Sequence, residues 1–91
     1  MFMVKNERSQ TEIIQDLLLV TLKENEASKT KIMQRAYLNQ KTFKKYFIFL
    51  TMNDYLIRSD NIPEKYTISQ KGKDLLEQLR QVNHLICLEE S

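Results

Sequence analysis

The stretch that decides the fold is Ala27-Ser-Lys-Thr-Lys-Ile-Met-Gln-Arg-Ala-Tyr-Leu-Asn-Gln-Lys-Thr-Phe-Lys-Lys-Tyr-Phe-Ile-Phe-Leu-Thr-Met-Asn53. It holds six basic side chains and no acidic one, whereas the rest of the chain holds eight basic and twelve acidic residues. The net charge of +2 over 91 residues therefore conceals a stretch of +6 beside a remainder of −4. Such a concentration of positive charge indicates a polyanionic partner. The basic residues are Lys29, Lys31, Arg35, Lys41, Lys44 and Lys45.

This basic stretch is predicted to form two short helices separated by a tight turn. Ser28 is a favourable N-cap for the first helix, and Asn39 for the second, which we expect to run from Gln40 to Asn53. Tyr37 to Asn39 would form the turn. The spacing of apolar residues predicts the core-facing sides of the two helices: Ile32, Met33 and Ala36, then Phe43, Tyr46, Phe47 and Leu50.

Secondary structure on either side of this pair completes a mainly α fold with a small β-hairpin. Apolar steps of three and four residues predict a helix from Gln10 to Asn25, and Ser9 with Glu12 has the spacing of a capping box. The segments 55–59 and 65–69 are predicted as two strands joined by a turn at 60–64. A last helix is expected from Ser69 to about Glu90.

The last helix carries an apolar seam that predicts dimerisation. Leu75, Leu79, Val82 and Ile86 follow one another at steps of four, three and four, which is a coiled-coil spacing. We therefore divide the chain into a domain at 1–69 and a dimerisation helix at 70–91. Packing of the seam against its own domain is the alternative, and the parallel or antiparallel direction of the paired helices stays open. The predicted dimer interface is Leu79, Val82, Leu85, Ile86 and Leu88.

A short helix, a tight turn and a basic helix are typical of a helix-turn-helix that reads the major groove of DNA. Gln40 can pair with adenine, whereas Lys41, Lys44 and Lys45 can reach guanine or phosphate. Ile48 points outward and either contacts a thymine methyl group or has no partner. The first helix of the helix-turn-helix supplies residues that are expected to contact phosphates. The two strands of the hairpin supply two more candidate contacts with the DNA backbone. These are Ser28, Lys29, Lys31 and Arg35, and then Arg58 and Lys65.

These motifs resemble the archaeal winged helix-turn-helix proteins over roughly residues 10–80. The resemblance is carried by Ser28-Lys-Thr-Lys-Ile-Met33, by Phe43-Lys-Lys-Tyr46 and, most specifically, by Tyr66-Thr-Ile-Ser-Gln-Lys-Gly-Lys-Asp-Leu-Leu76. The family includes single-domain transcriptional regulators and small chromatin-associated proteins that dimerise through a C-terminal helix. The resemblance implies DNA binding, dimerisation and the absence of catalysis.

The chain departs from this family at two places. Asp54 stands where relatives usually have glycine after the recognition helix, which indicates a different exit from that helix. Asp60 and Glu64 make the tip of the hairpin acidic, and phosphate repels an acidic tip. We therefore expect the two basic helices, and not the hairpin, to supply the main DNA contacts.

Several other classes of function are disfavoured by the composition. We expect no enzyme activity, no cofactor and no metal site, because His84 and Cys87 are too few ligands for zinc and no nucleophile is paired with a base. A single cysteine fits a reducing compartment, and no apolar run approaches a membrane span. The expected location is the cytoplasm, in association with the nucleoid.

The predicted function is that of a homodimeric transcriptional regulator that binds double-stranded DNA with helix 40–53 in the major groove. A chromatin architectural protein with little sequence preference is the first alternative. A winged helix that binds an acidic protein surface is the second. The DNA sequence, the direction of regulation and any effector stay open.

Overall fold

The computed structural model describes the backbone of residues 8–90 and the side chains of residues 8–82. Four helices surround a small three-stranded sheet, which confirms the predicted mainly α class. The elements, in chain order, are α1 (Gln10–Glu24), β1 (Ala27–Ser28), α2 (Lys29–Arg35), α3 (Gln40–Met52), β2 (Leu56–Arg58), β3 (Lys65–Ile68) and α4 (Gln70–Glu90).

The first three helices begin at the predicted N-caps. Ser9 and Glu12 form the capping box, since the Ser9 hydroxyl accepts a hydrogen bond from the Glu12 amide while the Glu12 carboxylate accepts one from the Ser9 amide. The side chains of Ser28 and Asn39 accept from amides in the first turns of α2 and α3. Local sequence therefore defines where each of these helices starts.

Three residues with left-handed backbone follow helices. Asn25, Tyr37 and Asp54 have φ angles of 71°, 56° and 61°. Asn25 ends α1 and Asp54 follows the C-cap of α3 by one residue, so two of these positions hold the residue types that best tolerate this region after glycine. Asp54 thus has a positive φ, which glycine tolerates best.

The sheet contains one strand that the sequence did not predict. Strands β2 and β3 form the expected antiparallel hairpin, with Leu56 opposite Ile68. On the other side of β3 lies β1, which pairs antiparallel with it and gives the order β1-β3-β2. Two residues are too few to show an alternating pattern, so the expected two-stranded hairpin is corrected to a three-stranded sheet.

The core lies between α1, the α2–α3 pair and the inner face of the sheet. Phe47 connects these layers: its ring stacks on Phe43 at 5.0 Å and meets the edge of Tyr66 at 4.9 Å between centroids. Tyr46, predicted as core, is only partly buried. Completely or almost completely buried side chains are Leu17, Leu18, Ile32, Leu50 and Leu56.

The start of α4 packs closely on the end of α3 and the beginning of β2. The Ser69 hydroxyl donates to the backbone oxygens of Asp54 and Tyr55. The Ser69 Oγ also accepts a hydrogen bond from the Gly72 amide at 3.0 Å. Gly72 is buried, and a Cβ at that position would lie 2.2 Å from the Tyr55 carbonyl oxygen. Only glycine therefore fits at position 72, and this allows the start of α4 to pack closely against Tyr55.

Candidate nucleic-acid interface

Helices α2 and α3 present the six basic side chains of the stretch 27–53 to solvent. All six basic residues of the stretch are exposed, so none contributes its charged group to the core. We call this set the basic surface, consisting of Lys29, Lys31, Arg35, Lys41, Lys44 and Lys45. Positive side chains concentrated on two adjacent helices favour a polyanion over a small neutral ligand.

A cleft of about 460 Å³ opens between α2 and α3. Three of the predicted DNA-binding residues, Lys29, Gln40 and Lys44, line it together, although they come from two helices. Three apolar residues, Met33, Phe43 and Phe47, also line the cleft, and we call them its floor. The remaining lining residues are Thr30 and Ile48. The α2–α3 cleft thus combines two ammonium groups and one amide with an apolar base.

Two of the lysines lie above aromatic rings. The Lys29 ammonium is 5.7 Å from the centre of the Phe47 ring, and that of Lys45 is 5.3 Å from the centre of Tyr46. Cation–π attraction at exposed sites is weak, about 0.5–1 kcal/mol, so these ammonium groups stay available to an anion. The rings restrict where the ammonium groups lie without neutralising them.

Two predicted phosphate-binding residues on α2 already have a partner within the chain. The Ser28 hydroxyl accepts the Lys31 amide at 3.2 Å and so caps α2. The Arg35 guanidinium lies 3.6 Å from the Glu24 carboxylate at the end of α1. Because Arg35 is exposed, this ion pair is weak and can be exchanged for a phosphate contact.

Of the two predicted contacts on the hairpin, Arg58 interacts with the hairpin itself. Arg58 donates to the Pro63 carbonyl oxygen at 3.0 Å, and its guanidinium lies 5.6 Å from the centre of the Tyr66 ring. Lys65 is partly buried on β3. Asp60 and Glu64 at the hairpin tip are exposed, as the sequence led us to expect.

Of the predicted dimer residues, only the first two fall among the described side chains. Leu79 is partly buried against the core of its own chain, whereas Val82 is 48% exposed. The side chains of Leu85, Ile86 and Leu88 lie outside the described residues, as do those of His84 and Cys87. The helix itself continues to Glu90.

The exposed side of α3 also carries apolar residues. Ile48 is 45% exposed, as predicted, and Phe49 and Met52 are 43% and 78% exposed. Sequence reasoning missed Met52, and it assigned Met33, Phe43 and Phe47 to the core without recognising that they also line a cleft. A helical projection finds the outward direction of Met52, but the cleft depends on how α2 crosses α3.

Among the described residues, no group of three or more histidine, cysteine, aspartate or glutamate side chains is arranged to hold a metal ion. In the same part of the chain, no helix has the length and apolarity required to cross a membrane.

Comparison with known proteins supplies the family. A family model described as winged helix-turn-helix matches residues 7–87. The chain belongs to the winged helix-turn-helix family. The hairpin β2–β3 is accordingly the wing, and the resemblance inferred from the sequence is confirmed.

Two curated relatives of this winged helix-turn-helix chain come from Methanocaldococcus jannaschii. The uncharacterized protein MJ0290 is 39% identical over 69 residues, which cover 76% of this chain and 31% of that protein. The uncharacterized protein MJ0287 is 38% identical over 72 residues, which cover 79% of this chain and 70% of that protein. The match therefore spans less than a third of the first relative and most of the second.

A solved structure has the same fold. Sso10a-2, a DNA-binding protein from Sulfolobus solfataricus, superposes with a TM-score of 0.73 at 25% sequence identity. The superposition covers 91% of this chain and 90% of that protein. The likeness therefore extends over most of both chains.

Proposed function

We propose that the chain binds double-stranded DNA through α2 and α3, with α3 in the major groove. The observation that carries this proposal is the α2–α3 cleft, where Lys29, Gln40 and Lys44 converge on the exposed side of the two helices. The fold supports it, because the second helix of a helix-turn-helix enters the major groove. Further support comes from Sso10a-2, a DNA-binding protein of the same fold.

Each residue of the proposed interface has a role that follows from its chemistry. Gln40, in the first turn of α3, pairs with adenine, and Lys41, Lys44 and Lys45 contact guanine or phosphate. Ser28, the N-cap of α2, and Lys29, Lys31 and Arg35 of α2 lie over phosphates on one side of the groove. Arg58 and Lys65 are secondary, since the wing has an acidic tip, Arg58 is bonded to the Pro63 carbonyl oxygen and Lys65 is partly buried.

The protein is proposed to act as a homodimer through α4, with residues 70–91 as the dimerisation segment. Val82 supports this proposal, because a half-exposed valine follows Leu79 on a helix that continues to Glu90. Apolar seams of this spacing are normally covered by a second helix. Two copies of α3 related by a two-fold axis would contact half-sites about one helical turn, or a multiple of it, apart.

The finer role is proposed to be transcriptional regulation in the cytoplasm, on the nucleoid. A sequence-tolerant architectural role is the second candidate, favoured by the number of lysines, which bind phosphate without reading bases. Competition with unlabelled duplexes of varied sequence separates the two. One duplex that competes a hundredfold better than the others identifies a regulator, whereas equal competition by all identifies an architectural protein.

Salt dependence of binding tests the DNA proposal directly. Fluorescence anisotropy of a labelled duplex, titrated between 50 and 200 mM salt, gives log K against log salt. The slope is about −0.9 for each phosphate neutralised, so six contacts from the basic surface give a slope of about −5. Absence of binding at 50 mM salt would contradict the proposal and direct attention to an acidic protein partner.

Charge reversal in α3 tests which surface binds. Lys44→Glu introduces an acidic group into the cleft, and we expect DNA binding to be lost while the circular dichroism spectrum and the unfolding temperature stay the same. Lys73→Glu is the matched control: it makes the same charge change at an exposed position on α4, outside the basic surface. Equal loss in both variants would mean that net charge, and not α3, determines affinity.

A further inference from the structure

The exposed part of α3 changes in chemistry along its length. Gln40, Lys44 and Ile48 follow one another at steps of four residues, so they form one row on the helix, and all three line the α2–α3 cleft. The row begins with an amide, continues with an ammonium group and ends with a branched apolar side chain. Its polar part has partners in the proposed function, but its apolar end has none.

Ile48 is an unusual residue for such a position. It is 45% exposed, whereas Phe43, Phe47 and Leu50 on the inner side of the same helix are at most 6% exposed. Its side chain adjoins the apolar floor of the cleft, which includes Met33 of α2. An apolar group from a ligand would therefore meet a prepared apolar surface there and not an isolated methyl group.

We propose that Ile48 is a specificity residue that recognises the 5-methyl group of thymine. Among the base edges in the major groove, thymine alone presents an apolar group, and the other edges present hydrogen-bond donors and acceptors. An isoleucine next to an apolar floor can form no hydrogen bond with those edges, so it selects the methyl group. This inference rests on the proposed binding of DNA through α3.

The row also predicts where the thymine lies in the site. Eight residues separate Ile48 from Gln40, which corresponds to about 12 Å along an α-helix. The major groove is inclined to the duplex axis, and a helix lying in it contacts successive base pairs with residues about three positions apart. With α3 lying along the groove, the thymine is about two to three base pairs from the adenine that pairs with Gln40.

Replacing thymine with deoxyuridine tests the proposal, because the two bases differ only by the methyl group. The duplex that binds most tightly is first selected from a random-sequence pool. Each of its thymines is then replaced singly by deoxyuridine, and binding is measured by anisotropy for the wild type, Ile48→Ala and Ile62→Ala. Ile62 is the matched control, since it is 37% exposed but lies in the turn of the wing.

The expected result is a loss of about fourfold in wild-type affinity at one thymine, which is the effect of burying a single methyl group. Ile48→Ala should bind the thymine duplex and the deoxyuridine duplex with equal affinity. Ile62→Ala should keep the fourfold difference in affinity between these two duplexes. The sensitive thymine should lie about two to three base pairs from the position at which Gln40→Ala removes a preference for adenine.

Two outcomes would overturn the assignment while leaving DNA binding intact. Equal affinity of the wild type for every thymine and deoxyuridine duplex would show that no methyl group is recognised. An unchanged ratio in Ile48→Ala would show that another residue recognises it. Failure of the wild type to bind any duplex would instead refute the proposed function, and this inference with it.

Discussion

Gly72→Ala tests whether close packing of α4 on β2 is essential to the fold. A Cβ at position 72 would lie 2.2 Å from the Tyr55 carbonyl oxygen and 2.8 Å from Cγ1 of Ile68. The Ile68 side chain can move, but the Tyr55 oxygen is backbone and accepts hydrogen bonds from both the amide and the hydroxyl of Ser69. Relief of the overlap therefore requires α4 to move away from that oxygen.

The free-energy change of this substitution has opposing contributions. Overpacking costs about 1–3 kcal/mol, and weakening of the two Ser69 hydrogen bonds adds about 1 kcal/mol each. The higher helix propensity of alanine offsets about 1 kcal/mol of this loss in unfolding free energy. We expect Gly72→Ala to lower the free energy of unfolding by about 2–4 kcal/mol, which corresponds to roughly 8–32 °C in the unfolding temperature for a domain of this size.

The assay is urea and thermal unfolding followed by circular dichroism at one fixed protein concentration. Gln78, an exposed residue of the same helix, provides the control. The difference between Gln78→Gly and Gln78→Ala measures the helix-propensity effect in α4 without any overlap. The packing argument is wrong if Gly72→Ala raises the free energy of unfolding by the same amount as the difference between Gln78→Ala and Gln78→Gly.

Three further predictions concern the turn, the start of α4 and the dimer. Tyr37→Gly should raise the free energy of unfolding by about 0.5–1 kcal/mol in urea titrations, because residue 37 has a φ of 56° and its side chain is 88% exposed; destabilisation would mean that the ring contributes to packing. Ser69→Ala should lower the unfolding free energy by about 1–2 kcal/mol through loss of the cap, whereas Ser69→Thr should keep most of it; equal effects of the two variants would contradict the capping role. Val82→Lys should convert a dimer to a monomer in light-scattering measurements with unchanged helix content, and a monomeric wild type would refute the proposed dimer.

Much of the candidate interface was predictable from local sequence. The capping residues Ser9, Ser28 and Asn39 mark helix starts because each accepts a hydrogen bond from the amide only three residues later in the chain. The outward direction of Lys44 and Ile48 follows from the helical period once the apolar residues Phe43 and Phe47 are assigned to the core. Such features depend on neighbours in the chain and therefore appear in a sequence pattern.

The features that were missed depend on contacts between distant segments. The pairing of Ala27 with Tyr66 joins residues almost forty positions apart, and two residues have no period of their own. Met33 and Phe47 line a cleft because α2 crosses α3 at a particular place, and burial of the same residues in the core gives an identical sequence pattern. Arg35 and Arg58 appeared equally free in the sequence, but folding brings one to Glu24 and the other to Pro63.

Charge segregation, helix boundaries and the choice of helix faces thus follow from the order of residues alone, since they reflect interactions within a few turns of the chain. The third strand, the cleft between α2 and α3, and the requirement for glycine at position 72 arise only when the helices and the sheet pack together. Their physical cause is the close approach of distant backbone and side-chain atoms, which no local pattern records.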